Sequence, residues 1–554
     1  MTAPRRILSI WLIVWIAMFQ GYRTHAAEFR GTGRGRMGAE AAGTHVLRMG
    51  VNISAFDTRD PHFAASFADR MLVDMVFNGL IRFRPGLAPE LEPDLAMEIP
   101  EPVTVNGQQT WTFRLRRGVY FQSSGKGPGR ELGAADVIAS FEKTTDPSRS
   151  AYAGGYEGIA VHALDSRTVR FTVDPPQSPL LFLPKVANYA GGFVVAETRD
   201  ATGKVHLIGT GPFAIRGRTG PKTFYLERHP RYFRGTPLLA GVEIHFLPES
   251  GPRLVAFENH LDLICGESSS EWVAGIRGKK GVIIDSFGVP ETACIHFNTL
   301  YRPFDDARVR RAIAHSLNRD LFLEPFGREM ARNVFSPAPP HMPGSLGEAE
   351  VKALNLDYPR DIEKAAALLD AAGYPDGFAF DVVVSELIQI KKNYLSLKRQ
   401  LADVGIRMNI RLTDHATYHK MIRMNSNPVV VYEAFRPNTD ELLSRFFHSA
   451  SKVMTGQQMA TNFSNYTGID NLIEQARAER VTSTQIKLWE YAQIKLLEDM
   501  VVYPLHFRKH TYVRKHDLDY GHPLRDAIAL YPQITEKTRF IPGRPGFVPG
   551  RDRL

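Results

Sequence analysis

Phe297-Asn298-Thr299, followed by Pro303-Phe304-Asp305-Asp306-Ala307-Arg308-Val309-Arg310-Arg311-Ala312-Ile313, is the stretch on which the fold turns. Asp305 is a good helix N-cap, because its short carboxylate reaches the first free backbone N–H groups. After it, Val309, Ala312, Ile313 and Leu317 recur at helical spacing and predict one buried face. Working outward, Trp111, Phe113 and Leu115 alternate with polar residues, as do Val169, Phe171 and Val173, and Val242, Ile244 and Phe246. Period two marks half-buried strands. Asp361 predicts another helix start, with Ala365, Leu368, Leu369 and Ala372 inward, Gly373 at the stop and Pro375 beyond. Ile469, Leu472, Ile473 and Ala476 form a further stripe, and Leu488, Trp489, Ala492 and Leu496 another. The chain is therefore mixed α/β.

At 554 residues it is too long for one core. Hydrophobic residues at 44% and charged residues at 23% are ordinary for a globular protein and exclude disorder over most of the length. The net charge of +9 is spread along the chain with no dense basic run or zinc-finger spacing, so nucleic acid is not an expected partner. Arg5 and Arg6, an apolar run over residues 7–19 and the small-residue pattern Thr24-His25-Ala26-Ala27 follow the plan of a secretory signal peptide over residues 1–27. The run is about 13 residues, short of the roughly 20 needed to span a bilayer. No cysteine stands near the cleavage pattern to carry a lipid, so a periplasmic protein without a lipid anchor is expected. Residues 28–43 read as a flexible leader. Within it Gly33, Gly35 and Gly38 fit G-x-G-x-x-G, but no strand precedes them, so the nucleotide reading fails.

Catalytic patterns are weak. H-E-x-x-H, G-x-S-x-G and the Walker loop do not occur. Ser123 to Lys126 and Ser449 to Lys452 fit S-x-x-K without its companion motifs. His415 and His419 stand four apart, a spacing that can hold a metal, although a solvated helix face is the favoured reading. No metal site, cofactor or enzymatic activity is expected. Gly209-Thr210-Gly211-Pro212-Phe213 reads as a tight turn between domains. Cys265 and Cys294 allow one disulfide in an oxidising compartment, with two isolated buried thiols as the equal alternative.

Several segments occur in an order that resembles the family 5 extracellular solute-binding proteins. They are Leu91-Glu92-Pro93-Asp94-Leu95-Ala96, residues 111–121, residues 132–141, Gly209 to Phe213, residues 227–233, the opening stretch, and residues 361–374. The resemblance spans roughly residues 45–515. It implies a type II periplasmic-binding-protein fold (cluster C): two α/β lobes, a hinge and an extra subdomain. Lobe I would hold residues 44–81, 205–288 and 505–554, the last including a C-terminal tail. The extra subdomain would be residues 82–204, and lobe II residues 289–504. Strands near Cys294 to Phe297 and Tyr503 to Phe507 would be the hinge crossings. The implied function is the substrate-binding subunit of an ABC importer. A monomer would close on a small solute and deliver it to an inner-membrane permease. A ligand-presenting partner of a sensor is the alternative on the same fold; a secreted hydrolase is a further one.

Peptide binders of the family hold the ligand's ammonium with an aspartate in lobe II. The corresponding stretch runs from Val430 through Tyr432, Glu433, Phe435, Arg436 and Asn438 to Asp440, with Phe435 at the aspartate's place. Glu433 would be a substitute acid. Arg436 is the departure: a guanidinium favours carboxylate or phosphate and repels ammonium. Pairing with Glu433 or exposure to solvent is the competing role for Arg436. The expected ligand contacts are Phe56, Asp57, Tyr432, Glu433, Phe435, Arg436 and Asn438. The solute class is a peptide, an opine-like compound or another acidic compound.

Overall fold

The alternation at Trp111 and Phe113 folds into the strand Gln108–Arg114, which buries Gln109, Trp111 and Phe113 on one face. It pairs antiparallel with Thr168–Val173, setting Trp111 opposite Phe171 and Phe113 opposite Val169. The computed structural model describes residues 43–123, 129–199, 202–203, 205–267, 269–328, 330–340, 342–434, 436–453, 460–525 and 529–541. The expected signal peptide, the leader up to residue 42 and Phe435 lie outside these. The described residues belong to one unit, Ala42–Leu554.

A nine-stranded mixed sheet runs through this unit. Val46–Val51 lies parallel to Gly241–Phe246 on one side and to Leu263–Cys265 on the other. Leu47, Met49 and Val51 pack with Val242, Ile244, Phe246 and the helix Phe67–Val76 into a first core. A second core gathers Ile295, Phe297, Val309, Ile313, Leu369 and Tyr503. A third holds Trp111, Phe113, Phe141, Phe171 and Phe182, with Trp111 and Phe182 stacked at 4.7 Å.

Two long strands join the first and second cores. Val282–Phe297 runs antiparallel to Val502–Lys515, and its register breaks between Gly288 and Thr292 and again between Ala293 and Cys294. Phe287 and Tyr512 belong to the first core; Ala293, Ile295 and Tyr503 belong to the second. The irregularities fall at the passage from one core to the next, where breaks in a ladder let strands bend.

Of the two readings of the cysteines, the disulfide fails and the pair of isolated buried thiols holds. Cys265 and Cys294 are free, buried thiols. Cys265 lies opposite Tyr512 and Cys294 opposite Pro504, eight positions apart on one strand. At about 3.4 Å per residue that is far beyond disulfide reach. Burial pushes the Cys265 thiol up to about 11 and raises Cys294 as well, which leaves both unreactive.

The opening stretch explains itself structurally. Its helix is Ala307–Ser316, and the cap is Asp306, one residue later than predicted, with Oδ1 accepting from the Arg308 N–H at 2.7 Å. Arg310 is buried and donates to the carbonyls of Phe304 at 2.8 Å and Asp499 at 2.6 Å. Its guanidinium thus ties the helix to the turn before it and to the chain end of Thr482–Glu498. The second predicted helix, Ile362–Ala371, is capped by Asp361 as read. It ends at Gly373 with φ +90°, and the Tyr374 N–H bonds back to Leu369. In the turn at Gly209-Thr210-Gly211, a β-carbon on Gly209 would meet the Val76 carbonyl oxygen at 2.0 Å. Only glycine permits that approach of the turn to the helix Phe67–Val76.

Candidate ligand-binding site

The short strand Val429–Tyr432 adds to the edge of Val282–Phe297, with Tyr432 opposite Cys294. The chain then turns into the helix Thr439–Phe447, whose Leu442, Leu443, Phe446 and Phe447 are buried. Asn438 is the N-cap of this helix, its Oδ1 accepting from the Glu441 N–H at 2.8 Å, so its side chain serves the helix. Phe446 turns its ring toward the loop. The Arg436 guanidinium lies over that ring at 4.6 Å, and Tyr432 meets it edge-on at 5.9 Å. Phe463 stands 4.9 Å from the Tyr432 ring. Burial lowers the pKa of Arg436 from its ordinary value, which marks a guanidinium drawn out of bulk water.

Glu433 does not pair with Arg436. Its carboxylate receives both Nη2 and Nε of Arg508, from the long strand Val502–Lys515. Burial pushes the Glu433 carboxyl upward, but the charge and hydrogen bonds of Arg508 outweigh it and hold the group below its usual range. Asp440 meets Arg477 at 3.3 Å and Glu441 meets Arg445 at 2.8 Å. Each described carboxylate of residues 433–441 thus faces an arginine.

A second wall comes from other parts of the chain. Arg70, on Phe67–Val76, sits over the Tyr189 ring at 5.1 Å. Burial raises the Tyr189 phenol, while Arg70 and, more weakly, Arg436 pull it back, so both guanidinium groups act on one ring. Asp74 follows Arg70 by one helical turn. Its Oδ1 accepts from Asn188 Nδ2 at 2.6 Å, and burial raises its pKa to about 6. Leu181 packs with Leu442, Phe446, Phe447, Ile473 and Trp489 in a fourth core. The Ser178 hydroxyl donates to Gln485 Oε1 at 2.6 Å. Burial lowers Lys185 to about 8 against the pull of Asp440 and Glu441. The third core is thereby tied to the helices of the fourth.

Phe56 and Asp57, two of the expected ligand contacts, lie on the segment that follows the strand Val46–Val51. Phe56 packs edge-on against Phe224 and Phe246, each at 5.2 Å. Asp57 is exposed, and its backbone N–H donates to Asp69 at 3.0 Å. Arg70, Tyr189 and Phe446 were not picked out in the sequence. Arg70 and Asp74, a polar pair four apart inside an apolar helix, were the available signal. A separate groove of about 820 Å³ is lined by Arg114, Arg116, Arg117, Arg167 and Arg234 beside the third core. Three of these arginines are engaged locally: Arg114 with Glu98, Arg167 with Glu131 and Arg234 with Asp94.

The family profile described as bacterial extracellular solute-binding proteins, family 5 (middle region), matches residues 90–452. The chain belongs to this family. Among family 5 relatives, di/tripeptide-binding protein 2 of Pseudomonas aeruginosa (strain UCBPP-PA14) is 28% identical over 458 residues, covering 78% of this chain and 83% of that protein. The binding protein MoaA of A. tumefaciens R10, solved with mannopinic acid, is 32% identical; the match covers 90% of this chain and 99% of MoaA, with a TM-score of 0.69. CtaP of Listeria monocytogenes, an ABC transporter substrate-binding protein 18% identical to this chain, shares the fold with a TM-score of 0.76 over 90% of this chain and 99% of its own. The fold is that of a type II periplasmic binding protein. Among the described residues no helix is long and apolar enough to cross a membrane.

Proposed function

We propose that this chain is the exported, periplasmic solute-binding subunit of an ABC importer, and that its solute is an acidic small molecule of the opine type. One lobe is built on the first core with the third as its extra subdomain; the other is built on the second and fourth. The long strands, irregular where they pass between cores, are the hinge. The solute lies against Tyr432, Phe446 and Arg436 on one side and Tyr189 and Arg70 on the other. Closure follows because only the closed form touches the solute from both sides. The permease reads the closed shape, and the solute leaves unchanged.

The observation that carries the choice of solute is the pairing of Glu433 with Arg508, beside Arg436 over Phe446. A ligand ammonium meets acids that already face arginines. A ligand carboxylate meets a partly desolvated guanidinium, where a charged hydrogen bond is strong. The likeness to a protein solved with mannopinic acid supports the same class.

A thermal-shift panel of mannopinic acid, agropinic acid, di- and tripeptides and haem tests this reading. A solute at 100 times its dissociation constant stabilises the folded state by about 2.7 kcal/mol. Stabilisation by opines and not by peptides is the expected result; the reverse order overturns the acidic-solute assignment. Small-angle scattering with the stabilising solute tests the hinge. The radius of gyration falls on binding, and an unchanged radius at saturation sinks closure.

A further inference from the structure

We propose that His415 and His419 form a two-imidazole site for a divalent late transition-metal ion, Cu2+ or Zn2+. Both residues lie on the helix His415–Arg423, one turn apart, and Asp414 caps its start by accepting from the Thr417 N–H at 2.9 Å. Helical spacing alone brings two side chains onto one face. Here it also turns the same ring atom of each inward, with the two Nε2 atoms 3.1 Å apart. The rings are steeply inclined, with centroids 4.4 Å apart and planes at 78°. These centroids are closer than two rings pointing nose to nose would be at that nitrogen separation. At least one ring is therefore tilted off the line between the two Nε2 atoms, and the proposed ion stands beside that line within reach of both.

That separation suits a metal. With metal–nitrogen bonds of 2.0–2.1 Å, a 3.1 Å separation corresponds to a ligand–metal–ligand angle of about 98°, between the square and tetrahedral values. In the metal-free pair one proton must sit between the two nitrogens; a metal replaces it and accepts both lone pairs. Ser385 is placed to hold the tautomer this requires. Its Oγ accepts from the Leu387 N–H at 3.2 Å and lies 3.1 Å from His415 Nδ1. An Nδ1–H donated to that oxygen leaves His415 Nε2 free to ligate, the usual outer-shell arrangement around a metal-bound histidine. Arg423 stands one helical turn beyond His419 on the same helix. Its charge repels a cation and limits the affinity. No group of three or more His, Cys, Asp or Glu side chains converges among the described residues, so water completes the coordination. Imidazole ligands and open positions favour Cu2+ and Zn2+ over Mg2+ or Ca2+.

The test is titration of the chelator-stripped mature protein with Cu2+, followed by calorimetry and electron paramagnetic resonance. One equivalent bound with hyperfine structure from two imidazole nitrogens is the expected result. His415→Ala and His419→Ala each weaken binding by at least about tenfold and reduce the signature to one nitrogen. His162→Ala, at an exposed histidine elsewhere, changes neither. Alanine is favourable in a helix, so both variants keep the fold. His419→Gln, which keeps bulk and polarity, gives a second loss-of-site variant, and circular dichroism checks all of them. Absence of saturable binding, or an unchanged nitrogen count in His415→Ala and His419→Ala, overturns the proposal.

Discussion

Arg436 and Glu433 stand three residues apart and do opposite work. Replacing Arg436 with alanine removes the charge proposed to meet the solute and leaves a ligand anion facing an apolar wall. The expected loss is about 2–5 kcal/mol of binding free energy. Lysine restores only part of it, because it keeps the charge and loses the planar fork. Calorimetry on the three proteins decides the point, and equal affinities would assign Arg436 to packing on Phe446 alone. Glu433→Ala acts on folding. It leaves Arg508, only 20% exposed at the side chain, without its carboxylate. Breaking a buried pair from one side costs about 3–5 kcal/mol. Glu433→Ala with Arg508→Ala should be more stable than Glu433→Ala alone, as thermal unfolding of the two will show. A double variant no more stable than the single one would place the cost in something other than the stranded charge. The departure at Arg436 was legible in the sequence. The partner of Glu433 was not, since Arg508 is 75 residues away and nothing in a periodic pattern names a partner at that separation.

The elements themselves were readable where one physical constraint dominates. Trp111 and Phe113 alternate because one face of their strand is buried, and Ala365 and Leu369 recur because one helix face is. Caps were less determinate. Asp305 and Asp306 carry equal chemistry side by side, and the turn geometry selects Asp306. Asn438, an expected ligand contact, also caps the helix that presents Phe446, a role the sequence did not single out. The glycine turn shows how strongly an element depends on one missing atom. In Gly209→Ala the new β-carbon falls 2.0 Å from the Val76 carbonyl oxygen, backbone that no flexible side chain can vacate. The turn or the end of Phe67–Val76 must shift, so destabilisation of at least about 2 kcal/mol is expected. Gly203→Ala, at a position with open space but φ +81°, separates steric collision from backbone strain and should cost less. Equal midpoints for Gly209→Ala and the parent protein would show that the close approach is not required.

Across the whole molecule, acid should weaken the fold through histidines held neutral at buried or half-buried positions. His62, His506 and His510 are each lowered to about 4, and His296 to about 3, with burial the leading cause every time. The sign follows from proton counting. In the unfolded chain these groups take up protons as pH falls through their ordinary value of 6.5; in the folded protein they do so only near their lowered values. Between these limits the unfolded state binds more protons, so stability is full above about pH 6.5 and is lost progressively toward pH 4. Each such group removes on the order of 1–2 kcal/mol between pH 7 and pH 5. The groups are distributed: His62 is beside Lys143, His296 lies among Phe446, Phe447 and Phe463, and His506 and His510 are on the long strand with Arg508. No single region should account for the acid response. His296→Phe gives the clean test, because its surroundings are aromatic and the replacement carries no proton. Its midpoint should fall less between pH 7 and pH 5 than that of the parent protein. An identical fall in both would mean that His296 titrates normally in the folded state and that the acid response arises elsewhere.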